Sequence, residues 1–425
     1  MIQLSKFENI YSFAIALCAF VQILLPKMVP LAIIVLVLVF SYGAIKGHLK
    51  CKLSIIPIMF IAFYLAYIVG MIFTMDAALA RMYLENKLSF LIFPVLFSFV
   101  PTFSLSLRIP AIGYILGLLV TIIFGLINMG SCLLSENSFT TCVLLFSEIH
   151  HPTYLSAHIF FGIALTIYGY GQEWKGFNLK TISIFGLFGV ISIFLTFSLS
   201  GILFTFIIAS GAIWSWIKKK YGLKITLALS SFLLMTIVLS ISLSTPLKND
   251  FKYSAQSVST YLQSPEDFLK KANRYLIGNE VRLIMWTTTG LLIAEHPFGV
   301  GTGNVDYYLT KKLKSYGLDD LATHEYNPHN QFLQTFLEIG IGGFLILLLI
   351  GIFTVRVALE SKNYLLLVLI LSLLFNSLFE SMLQRQSGIV FYTFWICLIV
   401  VFIYQQKWIG ERHGATKKSI NKVIK

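Results

Sequence analysis

The chain has 425 residues, of which 57% are hydrophobic and only 12% are charged, with a formal net charge of +13 and a mean hydropathy of +0.81. Soluble domains carry roughly 25% charged residues, so this composition excludes an ordinary soluble protein. Apolar runs of about 20 residues, each long enough to cross a bilayer as a helix, recur along the whole sequence. They also exclude an outer-membrane barrel, whose strands alternate over about ten residues.

The apolar runs predict an all-α polytopic integral membrane protein with about twelve transmembrane helices. The first run lacks a small-residue cleavage site, so we interpret it as a retained span and not as a removed signal. The run at 87–100 is short and contains Pro94. The predicted spans are 8–26, 28–45, 54–73, 87–100, 109–128, 152–170, 181–197, 201–217, 223–244, 329–354, 363–379 and 387–404.

The distribution of Lys and Arg over the short loops predicts that both termini are cytoplasmic. In this orientation nineteen basic residues lie in the inner loops and the tail, whereas the outer short loops hold only Lys27, Arg81, Lys87 and Arg385. The long polar loop holds nine acidic and nine basic residues. The net charge is therefore a topology signal, and we expect no nucleic-acid partner because the basic residues are scattered.

One large periplasmic loop is predicted before the third-last span. Within it, Asn279 is predicted to cap a helix that has Glu280 in its first turn and ends before Pro297. The predicted regions are transmembrane helices 1–9 over 1–244, the loop with short helices over 245–328, transmembrane helices 10–12 over 329–404, and a basic cytoplasmic tail over 405–425.

The cysteine and histidine patterns do not predict a metal site. Cys132 and Cys142 share one predicted outer loop, where they could form a disulfide or remain two free thiols. None of the five cysteines has the paired spacing of metal ligands. We expect neither metal nor cofactor, because no carboxylate pattern accompanies the three remaining candidate ligands, His150, His151 and His158.

A polar stripe begins the tenth predicted span, in the sequence PHNQFLQTFLEIGIGG at 328–343. Asn330, Gln334 and Glu338 are spaced by four and would share one face of a helix. Polar groups at this depth are costly unless they face protein or water. The stripe therefore lines a cavity open to the outer side or forms a hydrogen-bonded seam between helices. His329 precedes it at the mouth, where a neutral imidazole can accept a proton.

Arg282 and Trp286 are four residues apart and share one face of the predicted loop helix. The guanidinium fork suits phosphate, with which it makes bidentate, charge-assisted bonds. The alternative is a surface Arg whose stem packs on the aromatic ring. A solvated face is likewise the alternative for three upstream residues that could extend a basic rim, Lys270, Lys271 and Arg274.

Three further motifs concern packing. The sequence GVGTG at 299–303 follows a helix and not a strand, so we interpret it as close-packed turns and not as a nucleotide fingerprint. Glu380 and Arg385 form either a local ion pair or a rim of the same cavity. Close helix packing is predicted for the glycines that follow the polar stripe, Gly340, Gly342 and Gly343.

Three stretches together resemble the O-antigen ligase and polymerase superfamily. They are RLIMWTTTGLLIAEHPFGVGTGN at 282–304, HNQFLQTFLEIGIGG at 329–343 and FESMLQRQSGIVFYTFW at 379–395. HHPTYLSAHIFFG at 150–162 is also similar to a span typical of the family. The C-terminal third of the chain resembles the family in sequence. The remainder resembles it in the predicted arrangement of transmembrane spans.

The resemblance implies a GT-C-type, metal-independent, inverting transfer in the bacterial inner membrane, at a site facing the periplasm. The implied donor is a glycan on undecaprenyl pyrophosphate, and the acceptor in the ligases is a sugar of lipid A–core. His329 would deprotonate the acceptor hydroxyl, and Arg282 would bind the pyrophosphate leaving group. The other residues predicted to bind substrate are Asn330, Gln334, Glu338, Trp286, Arg274 and Arg81.

The chain departs from the family pattern at one position. Many relatives carry Ser-Arg near the outer end of an earlier span, but here FSLSG at 197–201 places Leu199 where the Arg would be. The candidates for the missing phosphate contact are Arg81, Lys87 and Arg274.

Three functions remain open from the sequence. A ligase and a polymerase of the superfamily would differ only in their acceptor, which is lipid A–core or another glycan. A transporter of polysaccharide or lipid is the alternative of a different class. Transporters often show two similar halves and a mid-membrane site, and this sequence shows no such halves.

Overall fold

The computed structural model describes residues 2–135, 138–223, 278–324 and 326–423, with isolated positions between 227 and 269. Almost all of the predicted span at 223–244 lies outside the described residues, and so do Lys270, Lys271 and Arg274.

Helices form nearly all of the regular structure that is described. Short 3-10 turns lie at Pro26–Met28, Met71–Phe73 and Leu145–Ser147. The helices are α1 (Ile2–Leu24), α2 (Val29–Ile45), α3 (Ile55–Gly70), α4 (Ala77–Lys87), α5 (Ser89–Phe97), α6 (Arg108–Leu134), α7 (Phe139–Leu144), α8 (Pro152–Gly171), α9 (Leu179–Leu195), α10 (Leu199–Tyr221), α11 (Gly278–Glu295), α12 (Val305–Ser315), α13 (Asp319–Thr323), α14 (Gln331–Glu360), α15 (Tyr364–Asn376) and α16 (Gln386–Val423).

Seven helices in the described part of the chain are long and apolar enough to cross a membrane. This finding supports the predicted multi-pass, all-α membrane protein, and the count of about twelve spans stays a prediction. Two predicted spans are shorter apolar helices, α9 and α15. The seven are Leu4–Leu24, Pro26–Ile45, Ile55–Phe73, Arg108–Leu134, Leu199–Tyr221, Gln331–Glu360 and Gln386–Lys407.

Two predicted boundaries are corrected. The span predicted at 87–100 is the nine-residue helix α5, because α4 ends at Lys87 and a strand begins at Phe99. Asn279 lies inside α11, which begins one residue earlier, so it does not cap that helix. Helix α16 extends through the predicted tail as far as Val423, and the cytoplasmic location of this tail stays a prediction.

Helix α16 lies at the centre of the helix bundle. Of its apolar part, 83% is buried, against 33% for α2. Its side chains from Ile389 to Val401 are at most 3% exposed. Trp395 packs against Tyr114 of α6 and Phe161 of α8, with ring centroids 5.2 and 5.0 Å away. The turn that precedes α16, which carries Glu380 and Gln384, is therefore held against the core.

A two-stranded antiparallel sheet joins β1 (Leu49–Cys51) to β2 (Phe99–Pro101). The buried side chain of Gln405 on α16 fixes it there. Its Nε2 donates to the Pro101 carbonyl at 2.8 Å, and its Oε1 accepts from the Leu105 N–H at 2.8 Å. The sheet thus ties the start of α3 to the far end of the central helix.

Candidate functional site

The polar stripe lies on a separate short helical segment, because α14 is broken after Glu338. Ile339 and Gly340 leave helical geometry, and Gly340 has φ +69°. A Cβ at Gly340 would lie 2.4 Å from the Phe298 backbone. The polar stripe therefore does not belong to one continuous helix. The segment 331–338 ends at the break, and the apolar part of α14 begins beyond it.

The glycine-rich turn at 297–304 satisfies the backbone groups that the break sets free. Val300 N–H donates to the Leu337 carbonyl at 2.8 Å, and Gly301 N–H donates to the Glu338 carbonyl at 3.0 Å. Ile341 N–H donates in return to the Pro297 carbonyl at 3.1 Å. Non-helical backbone at membrane depth is tolerated where protein satisfies it.

The same turn also contacts α3 and the 3-10 turn that follows it. Thr302 Oγ1 donates to the Tyr67 carbonyl at 2.7 Å, and Asn304 Nδ2 donates to the Phe73 carbonyl at 2.9 Å. A Cβ at Gly299 would lie 2.6 Å from the Gly340 nitrogen, so the approach of the two backbones requires glycine. The interpretation of GVGTG as close-packed turns is confirmed, and Gly340 creates a break instead of a helix-packing surface.

We expect Gly340→Ala to destabilise the protein by about 1–3 kcal/mol, because a Cβ is disfavoured at positive φ and meets backbone here. Gly342→Ala is the matched control, since a Cβ at Gly342 meets nothing within 4 Å. Thermal unfolding of the detergent-purified variants measures the difference. Equal unfolding temperatures for the two variants would contradict the break.

The first residues of the polar segment are fixed by backbone contacts with the turn before α16. Asn330 caps α14, because its Oδ1 accepts from the N–H groups of Phe332 and Leu333 at 3.0 and 3.1 Å. It is therefore not part of the helical stripe. Gln331 Oε1 accepts from the Leu383 N–H at 2.6 Å. The mouth of α14 and the turn at 377–385 form one bonded unit.

His329 forms a hydrogen bond with Glu380 across this unit, with Nδ1 and Oε2 3.2 Å apart. His329 has φ +47°, and its N–H donates to Asn327 Oδ1 at 2.8 Å. Because a carboxylate can only accept, Nδ1 carries the proton and Nε2 is left with the lone pair in the neutral ring. The His329 side chain is 23% exposed and that of Glu380 is 8% exposed. His329 thus presents a basic nitrogen at an accessible position.

The Glu380 carboxyl is held in its ionised form. Burial acts to raise its pKa, but the hydrogen bond and charge of His329, the charge of His151 and the Ser381 N–H together lower it below the ordinary value of 4.5. The Ser381 N–H reaches Oε1 at 3.1 Å, so both carboxylate oxygens have donors. The direct partner of Glu380 is His329, and its place on a cavity rim stays a prediction.

Arg282 shares the electrostatic environment of His329 and Glu380. The pKa of His151 is lowered chiefly by burial; Glu380 acts to raise it, and the charges of Arg385, His329 and Arg282 act to lower it. His151 therefore lies within electrostatic range of side chains from α11, the α14 mouth and the turn before α16. They include both predicted catalytic residues, Arg282 and His329.

Sequence reasoning did not assign His151 a place at this site. Its position was visible as the residue before Pro152, at the start of α8. The N-terminal ends of α8 and α14 are far apart in the sequence, so no spacing along the chain connects His151 with His329.

A second group of polar side chains, which is buried, forms around Glu338. Glu338 Oε2 accepts from Gln384 Nε2 at 2.6 Å and from Gln334 Nε2 at 3.2 Å. Lys87 Nζ donates to Gln384 Oε1 at 2.6 Å and lies 3.9 Å from Glu338 Oε1. Lys87 is fully buried and lies 4.7 Å from the centre of the Tyr67 ring. It is therefore occupied inside the protein and does not present its ammonium group to a phosphate.

The remaining predicted substrate residues lie at different places. Arg81 on α4 is exposed, and its Nε donates to the Ala77 carbonyl of its own helix at 3.2 Å. Trp286 is half-buried on α11, and its buried Nε1 has no hydrogen-bond partner among the described residues. Glu338 also lines an apolar cavity of about 360 Å³ between α3 and α14.

The other histidines have structural contacts. His150 Nε2 donates to the Ile23 carbonyl at 2.6 Å, and its Nδ1 accepts from Ser387 Oγ at 2.8 Å. Burial lowers the pKa of His150 to about 4, against the opposing effect of the Ile23 bond, so the ring is neutral. His158 Nδ1 lies 3.0 Å from the Tyr114 hydroxyl. In the described part of the chain, no group of three or more His, Cys, Asp or Glu residues is placed to hold a metal ion.

The loop that precedes His150 contains a disulfide. Cys132 at the end of α6 is bonded to Cys142 of α7, with Cα atoms 5.4 Å apart. Of the two alternatives left open by the sequence, the structure has the bonded form. The bond holds the segment that leads to His151.

Residues 184–348 match the family model described as O-antigen ligase. This match confirms the resemblance to the O-antigen ligase and polymerase superfamily. It includes Arg282, the turn at 297–304, His329 and the polar segment of α14, whereas Lys87 and Glu380 lie outside it. A search of curated proteins found no match to the chain.

Proposed function

We propose that this chain, which carries an O-antigen ligase-type domain at residues 184–348, transfers a glycan from a lipid-linked pyrophosphate to an acceptor hydroxyl. The observation that carries the proposal is the bonded pair of His329 and Glu380 at the accessible mouth of a broken helix. A carboxylate on Nδ1 leaves Nε2 free to take a proton, as a general base requires.

The reaction proposed at this site is an inverting displacement. Nε2 of His329 takes the proton of the acceptor hydroxyl while its oxygen attacks the anomeric carbon of the donor. The bond from that carbon to the pyrophosphate oxygen breaks, and the pyrophosphate leaves with the electron pair. Arg282 stabilises the charge that develops on this leaving group, and Glu380 stabilises the imidazolium. Because the base and the cationic clamp provide this chemistry, no metal is required.

The donor proposed is a glycan on undecaprenyl pyrophosphate, and the acceptor is a sugar of lipid A–core. A polymerase would use the same residues with a second lipid-linked glycan as acceptor. The purified protein, assayed in EDTA with the lipid-linked donor and either acceptor, distinguishes them. Product on lipid A–core alone supports the ligase, lengthened lipid-linked glycan supports the polymerase, and no product with either acceptor overturns the proposal.

The proposed site faces the periplasm of the inner membrane, with both termini in the cytoplasm. The asymmetry of nineteen inner against four outer basic residues supports this orientation. The bond between Cys132 and Cys142 also supports it, since disulfides persist in oxidising compartments. The loop that contains this bond leads directly to His151, so it lies on the same side as the site.

We expect Arg282→Lys to lower transfer roughly ten- to a hundredfold, because an ammonium loses the bidentate fork and a charge-assisted bond is worth about 1.5–3 kcal/mol. Arg356→Lys is the control, since Arg356 is exposed and pairs with Glu360 on its own helix. Initial rates at equal protein content measure the effect. Full activity of Arg282→Lys would rule out a bidentate role.

A further inference from the structure

A second cavity lies far from His329, where α3 begins and the apolar part of α16 ends. Its volume is about 430 Å³, and it is lined by residues 52–55 on one side and by the last turns of α16 on the other. Lys52 and Lys407, which are far apart in the sequence, both line it. Both side chains belong to exposed residues, so two positive charges are present at one concave surface.

The N-terminus of α3 adds to this positive charge. Ser54 is the N-cap in extended geometry and makes no side-chain capping bond, so its hydroxyl does not cap the first N–H groups. A helix N-terminus carries about half a positive charge and binds phosphate through such N–H groups. Two lysines and a helix N-terminus from different elements therefore converge on one cavity, and this favours an anionic ligand.

The position of the cavity indicates what kind of anion it meets. Ile55 begins one candidate membrane span and Lys407 ends another, so the cavity lies at the boundary between membrane and water. Leu53 and Ile55 beside the lysines are 66% and 38% exposed. The wall is held in place by Gln405, whose amide is bonded to β2 and to the segment after it.

We propose that this cavity binds the phosphate headgroup of an anionic membrane lipid. Lys52, Lys407 and the α3 N-terminus contact the phosphate, and Leu53 and Ile55 contact the start of an acyl chain. The charge asymmetry predicts that this end is cytoplasmic, where basic pockets between transmembrane helices meet anionic headgroups. The site is separate from the proposed transfer reaction, so its test does not depend on that reaction.

The test is a titration of the full-length, detergent-purified protein followed by native mass spectrometry. The probes are phosphatidylglycerol, zwitterionic phosphatidylcholine and inorganic phosphate. We expect phosphatidylglycerol to be retained in preference to the others. Lys52→Gln with Lys407→Gln should weaken its binding roughly thirtyfold, since each lysine near a membrane surface contributes about a fivefold effect.

Two matched double variants distinguish binding at this cavity from a general effect of positive charge and from an effect of misfolding. Lys46→Gln with Lys50→Gln removes two exposed lysines near the same end, outside the cavity lining, and should leave binding unchanged. Lys52→Arg with Lys407→Arg keeps both charges and should retain the lipid. An equal loss in the Lys46 and Lys50 variant, equal retention of phosphatidylcholine, or inorganic phosphate binding as tightly as phosphatidylglycerol would each overturn the assignment.

Discussion

His329→Ala is expected to lower glycan transfer by about a hundredfold to ten-thousandfold, the usual contribution of a general base, with the amount of protein in the membrane unchanged. The mutation removes the Nε2 lone pair that we assign to proton removal. The local backbone contact is kept, because the N–H of residue 329 still donates to Asn327 Oδ1. The measurement is the initial rate of transfer from a lipid-linked donor, with the enzyme quantified in the same sample.

The matched control is His324→Ala. His324 is an exposed histidine five positions earlier, and its ring forms a hydrogen bond with the Asp320 carbonyl of its own helical turn and stacks on Tyr326. Its loss should leave transfer near the wild-type rate. If His329→Ala retains that rate, or if both variants lose activity equally, His329 is not the base.

Glu380→Gln should lower transfer less than His329→Ala, roughly ten- to a hundredfold, because one charge-assisted hydrogen bond is lost. The effect has a defined pH dependence. The Glu380 pKa is lowered, so its carboxylate is present above the ordinary value of 4.5 and is lost only as the pH falls through the lower folded value. The wild type should therefore keep its advantage over Glu380→Gln at neutral pH, and the two should converge only in strong acid.

The sequence predicted a polar stripe at the start of this helix, but it could not predict the break that follows Glu338. Periodicity treats 328–343 as the start of one helix, and spacing by four places Asn330, Gln334 and Glu338 on one face. The break at Gly340 depends on contact with Phe298, about forty residues away in the chain. Such a contact leaves no local signal other than the glycines themselves.

The spacing of residues along the sequence also could not predict that Glu380 is the hydrogen-bond partner of His329. Glu380 and Arg385 were predicted to form either a local ion pair or a rim of the same cavity. The hydrogen bond to His329 arises because Asn330 and Gln331 bond to the turn that carries Glu380. In the same way, Lys87 was counted as an outer loop charge, since nothing in its own segment indicates that Gln384 and Glu338 surround it.

Lys87→Met is expected to destabilise the protein by about 3–5 kcal/mol, because removing one partner of a buried ion pair leaves an uncompensated charge. Lys87 and Glu338 are 0% and 1% exposed, with Nζ and Oε1 3.9 Å apart. Without the ammonium, Glu338 keeps only the amide donors of Gln384 and Gln334. The apparent unfolding temperature of the purified protein in detergent measures the loss.

The double variant Lys87→Met with Glu338→Gln should recover most of this stability, because it removes both charges and leaves side chains of similar volume. Lys312→Met is the control for losing a lysine from an ion pair. Lys312 and Glu295 are 22% and 49% exposed, and an exposed pair contributes at most about 1 kcal/mol. The expected order of unfolding temperatures places Lys87→Met lowest, with the double variant and Lys312→Met near the wild type. A double variant as unstable as Lys87→Met would show that the packing of the lysine stem, and not the buried charge of Glu338, determines the effect.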